Sequence, residues 1–498
     1  MTDVDTAQDR VRYAALKAKD ARFDGRFFVG VASTGIYCRP ICRAKTPMAK
    51  NCSYFETPAA AEGAGFRPCL LCRPEAAPGS APVDVAASLA QRAAQLLNTH
   101  CSSELSLPEL AARLGCTDRH LRRVFTAAFQ VTPVQYLQTC RLLLAKNLLS
   151  ETRLSVLEVA VAAGFGSLRR FNTLFQARYR MAPTALRRQI SQTDADWARD
   201  TLAVSLGYRP PYAWSAMLAF LAARAIPGVE QVQDDAYMRT VRVQRDDGQV
   251  AWGWVHVSHQ PQRHALRVRL SSSLLSVVAQ VLAKVKHLFD VDAQPLQIDQ
   301  ALRGMGRVMP GLPVLGLRLP GAFDAFELLV RAVLGQQITV KAARTLAHRM
   351  VQALGTPVVT EIQGLSHAFP SAERLLALPG PVADHLGPLG ITGARARTIQ
   401  ALAQSLARGH LLADPCADPH AEVQRLMAIP GIGAWTASYV AMRALAWPDA
   451  FLPTDVGVKK ALAPRTPRDI AALAEAWRPW RSYATINLWQ ALSVADPS

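Results

Sequence analysis

The chain has 498 residues and 54.1 kDa, about three times the usual size of one domain, so several domains are expected. Half of the residues are apolar and mean hydropathy is +0.08, which excludes a wholly disordered chain. Lys plus Arg number 56 against 38 Asp plus Glu, a net +18 that favours nucleic acid over a membrane surface as partner.

No apolar run approaches the roughly 18 residues of a membrane helix. The opening Met1-Thr2-Asp3-Val4-Asp5 lacks the charged and apolar regions of a signal peptide, which predicts a cytoplasmic, nucleoid-associated protein. Residues 1–75 carry short strand-like pieces such as Arg26–Val31 and then cysteine-bearing loops. Pro74 to Pro82, with Gly79 and Ser80 inside, reads as a linker. Residues 84–190 are helical by period. Between about 201 and 310, helices over Ala213–Ala225 and Leu274–Phe289 flank strands over Tyr237–Gln244, Ala251–Val257 and Ala265–Leu270. Asp246-Asp247-Gly248 supplies a hairpin turn. From about 320 onward, Pro and Gly punctuate amphipathic helices.

Eight of nine cysteines (38, 42, 52, 69, 72, 101, 116 and 140) precede residue 141, and only Cys416 lies beyond. An odd number in a reducing compartment argues against a disulfide framework. Cys38-x3-Cys42 and Cys69-x2-Cys72 suit tetrahedral Zn²⁺, because two thiolates from one turn can meet two from another. Spacing alone leaves a purely structural zinc site equally open. Cys52 stands alone and fits a small buried residue. Gly35-Ile36-Tyr37-Cys38-Arg39-Pro40-Ile41-Cys42-Arg43-Ala44-Lys45 and Gly65-Phe66-Arg67-Pro68-Cys69-Leu70-Leu71-Cys72-Arg73-Pro74 closely resemble the metal-binding domain of the Ada methylation sensors. The resemblance implies that Cys38 takes a methyl group irreversibly from a methylated DNA phosphate, with Cys38, Cys42, Cys69 and Cys72 holding zinc. Methylation removes one negative charge from the cluster, so phosphate repulsion falls and DNA affinity rises. Arg39, Arg43 and Lys45 are candidate phosphate contacts, with idle surface charge as the alternative.

One internal repeat stands out. Leu114–Phe125 is echoed fifty residues later, so that Phe125, Phe129 and Pro133 return as Phe175, Tyr179 and Pro183. Each copy puts a helix, a tight turn and a basic helix in line: Leu107–Leu114 with Thr117–Ala127, then Leu157–Ala163 with Ser167–Ala177. Arg119, His120, Arg122 and Arg123 in the first copy, and Arg169 and Arg170 in the second, are candidate DNA contacts. A solvated basic face on a structural bundle is the alternative. Ala163-Gly164-Phe165 and Met181-Ala182-Pro183 resemble the paired DNA-binding domain of the AraC family, which implies promoter binding and RNA polymerase as a further partner.

Leu426–Ala437 reads as a helix, a Pro430-Gly431-Ile432-Gly433 turn and a second helix. Gly431 and Gly433 let backbone N–H groups converge on a phosphate. Tyr439 lies one turn beyond Trp435, and Phe451-Leu452-Pro453-Thr454-Asp455 sets a carboxylate behind an apolar entry. Asp455 could equally be a plain N-cap. From Leu206-Gly207-Tyr208-Arg209-Pro210-Pro211-Tyr212 through Arg478-Pro479-Trp480-Arg481-Ser482-Tyr483-Ala484, the chain resembles the AlkA family of 3-methyladenine DNA glycosylases. That resemblance implies excision of alkylated purines such as 3-methyladenine and 7-methylguanine, without a cofactor. It makes Asp455 the catalytic carboxylate, with Phe220, Trp435, Tyr439 and Trp480 lining the base pocket. A lysine two residues past the last hairpin glycine marks strand-cutting relatives; Trp435 stands there, so a monofunctional enzyme is expected. Two departures concern lesion opening and range: polar Gln337 replaces an apolar wedge into the duplex, and Val456 replaces a tyrosine. No Pro-Cys-His-Arg tetrapeptide of an O6-alkylguanine methyltransferase is present.

Together these features predict a multidomain α+β protein. Its expected parts are a small Zn-binding α/β sensor domain (1–78), an all-α double helix-turn-helix domain (84–190), an α/β two-layer domain (201–312) and an all-α helix-hairpin-helix glycosylase domain (313–498). The rival readings are a regulator whose C-terminal part is a nonspecific DNA clamp, and a glycosylase tethered to DNA by a structural zinc module. No heptad seam suggests a dimer.

Overall fold

The computed structural model describes residues 7–78, 89–103, 106–189, 201–245, 247–411 and 418–495. The chain forms two compact units: Met1–Pro210 with Val243–Ala251 and Gln260–Ala283, and Pro211–Arg242 with Trp252–His259 and Lys284–Ser498. No helix among the described residues is long and apolar enough to cross a membrane.

In the first unit, the apolar run after Arg26 forms a buried strand, Phe28–Val31. It pairs antiparallel with Cys52–Phe55 on one side and with Ile36–Cys38 on the other. Ile36–Cys38 then takes the short strand Arg67–Pro68 in parallel, with Tyr37 opposite Pro68. Sheet register therefore brings Cys38 and Cys69 side by side, which sequence separation alone would not.

The internal repeat is repeated structure down to its caps. Thr117 and Ser167 N-cap the basic helices Asp118–Phe129 and Leu168–Tyr179 by accepting the N–H of the third residue on. The preceding helices, Leu107–Arg113 and Val156–Ala162, both start with a Ser/Glu capping box, at Ser106/Glu109 and Ser155/Glu158. Gln130 and Arg180 end the two basic helices in the left-handed region. Gly164, at φ +80, is obligatory: a Cβ there would lie 2.8 Å from the Cys101 carbonyl oxygen. A 19-residue helix, Pro133–Glu151, joins the two copies.

The expected linker is only partly one. Pro74–Ala76 is a 3₁₀ turn with Pro74 buried, and the Glu75 side chain is almost wholly enclosed; residues 79–82 lie outside the described residues. Alanine and proline content imitates a flexible spacer, but the turn is pinned by ion pairs that composition does not reveal.

Between 201 and 271, the strand Thr201–Gly207 pairs antiparallel with Ala265–Ser271 along all seven residues in the first unit. In the second unit Glu230–Gln233 pairs with Ala236–Gln244 through Asp234 and Asp235, both at positive φ, the conformation of a tight type I′ hairpin. The turn expected at Asp246-Asp247-Gly248 is closed by the Arg245 N–H on the Gln249 carbonyl at 2.8 Å, although Asp246 itself lies outside the described residues. The helix expected over Leu274–Phe289 begins as a 3₁₀ segment, Ser272–Val277, before turning α over Val278–Leu288.

The strand Val250–Gln260 contributes Trp252–His259 to the second unit, and from Pro295 onward its described residues are helical apart from a two-residue ladder, Thr356–Pro357 with His367–Ala368. Its core gathers Leu329, Val333, Met350, Ile399, Leu402 and Val440, from the helices Ala325–Leu334, Val340–Leu354, Gly393–Ala407 and Ala434–Arg443. The C-terminal helix Arg481–Ala495 is tied in by the Tyr483 hydroxyl, which donates to Asp290 Oδ2 at 2.8 Å. Burial pushes the Asp290 carboxyl up to about 6, against the pull of Arg318 and the Leu319 N–H. A raised acid favours the protonated folded state, so this stabilisation is present below the ordinary carboxyl range and lost as pH rises through about 6. Asp290→Asn should therefore flatten the pH dependence of unfolding between about pH 4 and 6, by up to about 3 kcal/mol. Denaturant titrations at several pH values read this directly, and an unaltered slope would refute it.

Candidate active site and metal centre

The four cysteines expected as metal ligands converge. The sulfurs of Cys38, Cys42, Cys69 and Cys72 all lie within 4.8 Å of one another. The backbone explains why: the Cys69 N–H bonds the Tyr37 carbonyl at 3.0 Å, and the Cys42 N–H closes a turn on Arg39 at 3.1 Å. The Arg39 N–H donates to Cys72 Sγ at 3.3 Å, linking the two loops directly. Cys42 and Cys69 are buried, while Cys38 and Cys72 are half-buried. Four thiols this close share protons rather than ionise together. Hydrogen bonding with Cys42 pushes Cys38 up and hydrogen bonding with Cys38 pushes Cys72 up, whereas the Cys38 bond lowers Cys42 to about 7 and also pulls Cys69 down. A divalent cation is what would let all four be thiolates, so the donor set fits zinc. Cys52 stays outside the cluster, its thiol 3.4 Å from the Met48 carbonyl oxygen.

Of the three candidate phosphate contacts nearby, Arg43 and Lys45 are exposed and Arg39 is not. Arg39 is 9% exposed; its guanidinium grips the buried Asp24 carboxylate, with Nε at 2.8 Å from Oδ1, and donates to the Cys72 carbonyl at 3.2 Å. Its place is inside the sensor, so the expected DNA contact gives way to a loop clamp.

Arg119, His120, Arg122 and Arg123 are all exposed on the first basic helix, as are Arg169 and Arg170 on the second. Asp118, Arg119, Arg122, Arg123 and Gln130 help line an open depression of about 720 Å³. Arg122 is paired at 2.9 Å with Asp118 one turn back, an exposed contact that a phosphate can replace.

In the second unit, Asp455 is an N-cap that also sits among aromatic rings. It N-caps the helix Val456–Ala461, with Oδ1 accepting the Val458 N–H at 2.9 Å, and it is 9% exposed at the edge of an aromatic cluster. Two indoles hold it: Trp435 Nε1 donates to Oδ2 at 3.0 Å and Trp489 Nε1 donates to Oδ1 at 2.8 Å. Trp435 and Tyr439, one helical turn apart, stack with rings 5.3 Å apart at 7°. Trp489 also faces Phe220, nearly parallel at 6.4 Å. Arg443 donates to the Tyr439 hydroxyl at 2.6 Å and lies 5.0 Å over the Phe220 ring, while Arg224 covers Phe220 at 3.7 Å. Burial would raise the Tyr439 phenol, but Arg443 and Arg224 hold it below its ordinary value.

Trp489 was not among the pocket candidates read from the sequence; of those, Trp480 is buried with its ring against Tyr483. The sequence signal was available in Trp489's place on the last helix, eight residues past Arg481, but that helix has no clean apolar stripe to show which face turns inward.

The glycine turn sits beside this cluster. Gly431 has φ +89, and a Cβ there would fall 2.1 Å from Thr398 Oγ1. Gly433 leads into Ala434–Arg443 without a side-chain cap, so the first N–H groups of that helix remain available to an anion. The Gln336 amide donates to the Gly431 carbonyl at 2.9 Å and to Thr436 Oγ1 at 3.1 Å, and Arg395 donates to the Gln336 carbonyl. This fastens the turn Gly335–Thr339 to the hairpin, leaving Gln337 exposed at φ 58 with exposed Ile338 beside it. Val456, next to Asp455, is 78% exposed.

Four family patterns match the chain: "Metal binding domain of Ada" over residues 11–75, "Helix-turn-helix domain" over 110–189, "AlkA N-terminal domain" over 203–324, and "HhH-GPD superfamily base excision DNA repair protein" over 330–476. The chain is 39% identical over 489 residues to a probable bifunctional transcriptional activator/DNA repair enzyme AlkA of Mycobacterium tuberculosis, covering 96% of each chain. It is also 39% identical over 285 residues to DNA-3-methyladenine glycosylase 2 of Escherichia coli, covering 57% of this chain and 96% of that one. A third relative, the bifunctional transcriptional activator/DNA repair enzyme Ada of E. coli, is 34% identical over 133 residues, 27% of this chain and 36% of its own.

Proposed function

The chain belongs to the family of bifunctional transcriptional activator/DNA repair enzymes, and from that premise we propose that it excises N-alkylated purines at Asp455 and regulates transcription by accepting a methyl group at Cys38. The observation that carries the enzymatic half is a buried carboxylate clamped by two indole N–H groups among stacked aromatic rings.

A 3-methyladenine or 7-methylguanine nucleoside is cationic, so its glycosidic bond is already weak. Once flipped from the duplex, such a base is attracted to electron-rich ring faces, and Trp435, Tyr439 and Trp489 offer them. As the glycosidic bond breaks, its electron pair leaves with the base, which departs neutral. The Asp455 carboxylate stabilises the cation developing on the sugar, and water adds to the anomeric carbon and gives up its proton to solvent. The two indole donors fix the direction of the carboxylate. Trp435 offers no amine to form a covalent link with the sugar, so the strand stays intact. The hairpin N–H groups after Gly433, with Gln337 in the adjoining turn, hold the duplex without reading its sequence.

In the sensor, the Cys38 sulfur attacks the methyl carbon of a phosphotriester. The methyl–oxygen bond breaks, its electron pair returns to phosphate, and a thioether remains. Zinc, when held by the four cysteines, keeps them as thiolates. Loss of one negative charge there lowers repulsion of DNA phosphates near Arg43 and Lys45. The two basic helices, with Arg119, His120, Arg122, Arg123, Arg169 and Arg170, then read promoter DNA. RNA polymerase is the partner such an activator recruits, and the nucleoid in the cytoplasm is its place of work.

The deciding experiment incubates the zinc-loaded chain with methylated duplex DNA. Free methylated purines in solution, an uncut strand, and a one-methyl mass gain on the Cys38 peptide are expected. No free base from the folded protein would leave the C-terminal part a DNA clamp; no mass gain would leave the sensor a structural zinc module. Trp489→Phe keeps an aromatic ring but removes one bond to Asp455, so base release should slow about tenfold to a hundredfold, the cost of a hydrogen bond to a charge. An unchanged rate would remove Trp489 from the mechanism.

A further inference from the structure

One cysteine of each ligand pair is followed by an arginine that turns inward. Arg39 follows Cys38 and grips Asp24, whose side chain is 3% exposed, while also bonding the Cys72 carbonyl. The Asp24 backbone carbonyl accepts Arg209 Nε at 2.9 Å, and Arg209 is 2% exposed just beyond the strand Thr201–Gly207. Arg73 follows Cys72; it bonds Glu75 at 3.2 Å, Asn147 Oδ1 at 3.0 Å, and one oxygen of Glu151. The other oxygen of Glu151 takes Arg267, from the strand Ala265–Ser271, and the Ser205 hydroxyl at 3.3 Å. Lys146 completes the cluster by bonding Glu75 and the Cys69 carbonyl.

Both routes run in the same order: cysteine ligand, arginine, buried acidic residue, and then an arginine on the strand pair, Arg267, or just beyond it, Arg209. The backbones between them are in direct contact. A Cβ on Gly207 would fall 2.3 Å from the Ala76 carbonyl oxygen and 3.4 Å from the Arg39 guanidinium. A Cβ on Gly25 would fall 1.9 Å from the Pro78 carbonyl oxygen and 3.3 Å from the Arg209 guanidinium. Buried charges of this kind are tolerated only in one geometry, since removing a partner strands the other. The positions of Arg39 and Arg73 are set by the two cysteine loops, whose four sulfurs a bound ion would join.

We propose that the cysteine loops and the strand pair Thr201–Gly207/Ala265–Ser271 form one cooperative interface, so that metal binding in the sensor stabilises the first strands of the glycosylase half. The proposal rests on the four cysteines being a metal site. By linkage it is reciprocal: what loosens the strand pair weakens metal binding by the same factor.

Hydrogen exchange on the full chain tests it, comparing the zinc-loaded protein with the chelated one. Metal content is measured first, and failure to take up zinc at all would overturn the metal reading itself. With zinc removed, the loops 36–42 and 67–73 should lose protection and the strands 201–207 and 265–271 should exchange about tenfold faster, while the helix Ala434–Arg443 is unaffected. Faster exchange in the loops alone would overturn the proposal. In the reverse direction, Arg267→Gln should weaken zinc binding about fivefold or more in a competition with a chelating dye. Ser205→Ala, which keeps every charge, should weaken it about twofold and covers the case in which Arg267→Gln does not fold. Wild-type zinc affinity in a folded variant would overturn the proposal.

Discussion

Asp455→Asn should release methylated purines from duplex DNA at least about a hundred times more slowly than the wild-type chain, with folding and DNA binding retained. The amide keeps the size of the carboxylate and can still accept the Val458 N–H that caps the following helix, so the local fold has little reason to change. It cannot keep both indole bonds. One of its two terminal atoms becomes an N–H donor, placed against Trp435 or Trp489, which are donors already. More importantly, no negative charge remains beside the sugar as the base departs. Measuring free base by chromatography, with DNA affinity as the control, separates chemistry from binding. Release at the wild-type rate would remove Asp455 from the mechanism and leave the aromatic pocket without its reacting group.

The second large effect concerns the sensor. Cys38→Ala should abolish methyl uptake entirely, because the attacking sulfur is gone, while the glycosylase rate stays at the wild-type level. Three thiols remain, and Cys42 and Cys69 are the buried ones, so the variant should still take up zinc, though more weakly. It has also lost one negative charge, as the methylated protein has. The variant should therefore bind promoter DNA without methylation and show no further rise on exposure to methylated DNA. Titration of promoter DNA before and after that exposure reads both features. A methyl-dependent rise that persists in the variant would place the acceptor elsewhere.

The sequence exposed those parts of the molecule whose chemistry demands close spacing. Cys38-x3-Cys42 and Cys69-x2-Cys72 had to form a cluster, and the glycine turn at Gly431 and Gly433 had to open a helix. The doubled helix-turn-helix was legible because Thr117 and Ser167, or Gln130 and Arg180, do the same capping job twice. What stayed hidden depends on partners far away in the chain. Arg39 reads as a free cation beside a DNA-facing loop, and only the sheet shows Asp24 behind it, fifteen residues earlier. Pro74–Ala76 reads as spacer because nothing in its composition announces that Glu75 meets Lys146, seventy-one residues on. Trp489 reaches Asp455 across thirty-four residues, from a helix that offers no stripe to orient it. The hairpin at Asp234 and Asp235 was missed for a local reason, since two aspartates in the left-handed region carry none of the glycine that usually marks that turn.

The 19-residue helix Pro133–Glu151 has a consequence for the DNA rather than for the protein. At 1.5 Å per residue it is a rod about 28 Å long, close to the roughly 34 Å that one turn of the duplex advances. Two readers fixed to such a rod cannot adjust their separation. A promoter served by this chain must then present its two half-sites in phase, on one side of the double helix. Inserting half a turn of DNA between them would turn one half-site away and leave the chain holding the other by a single reader.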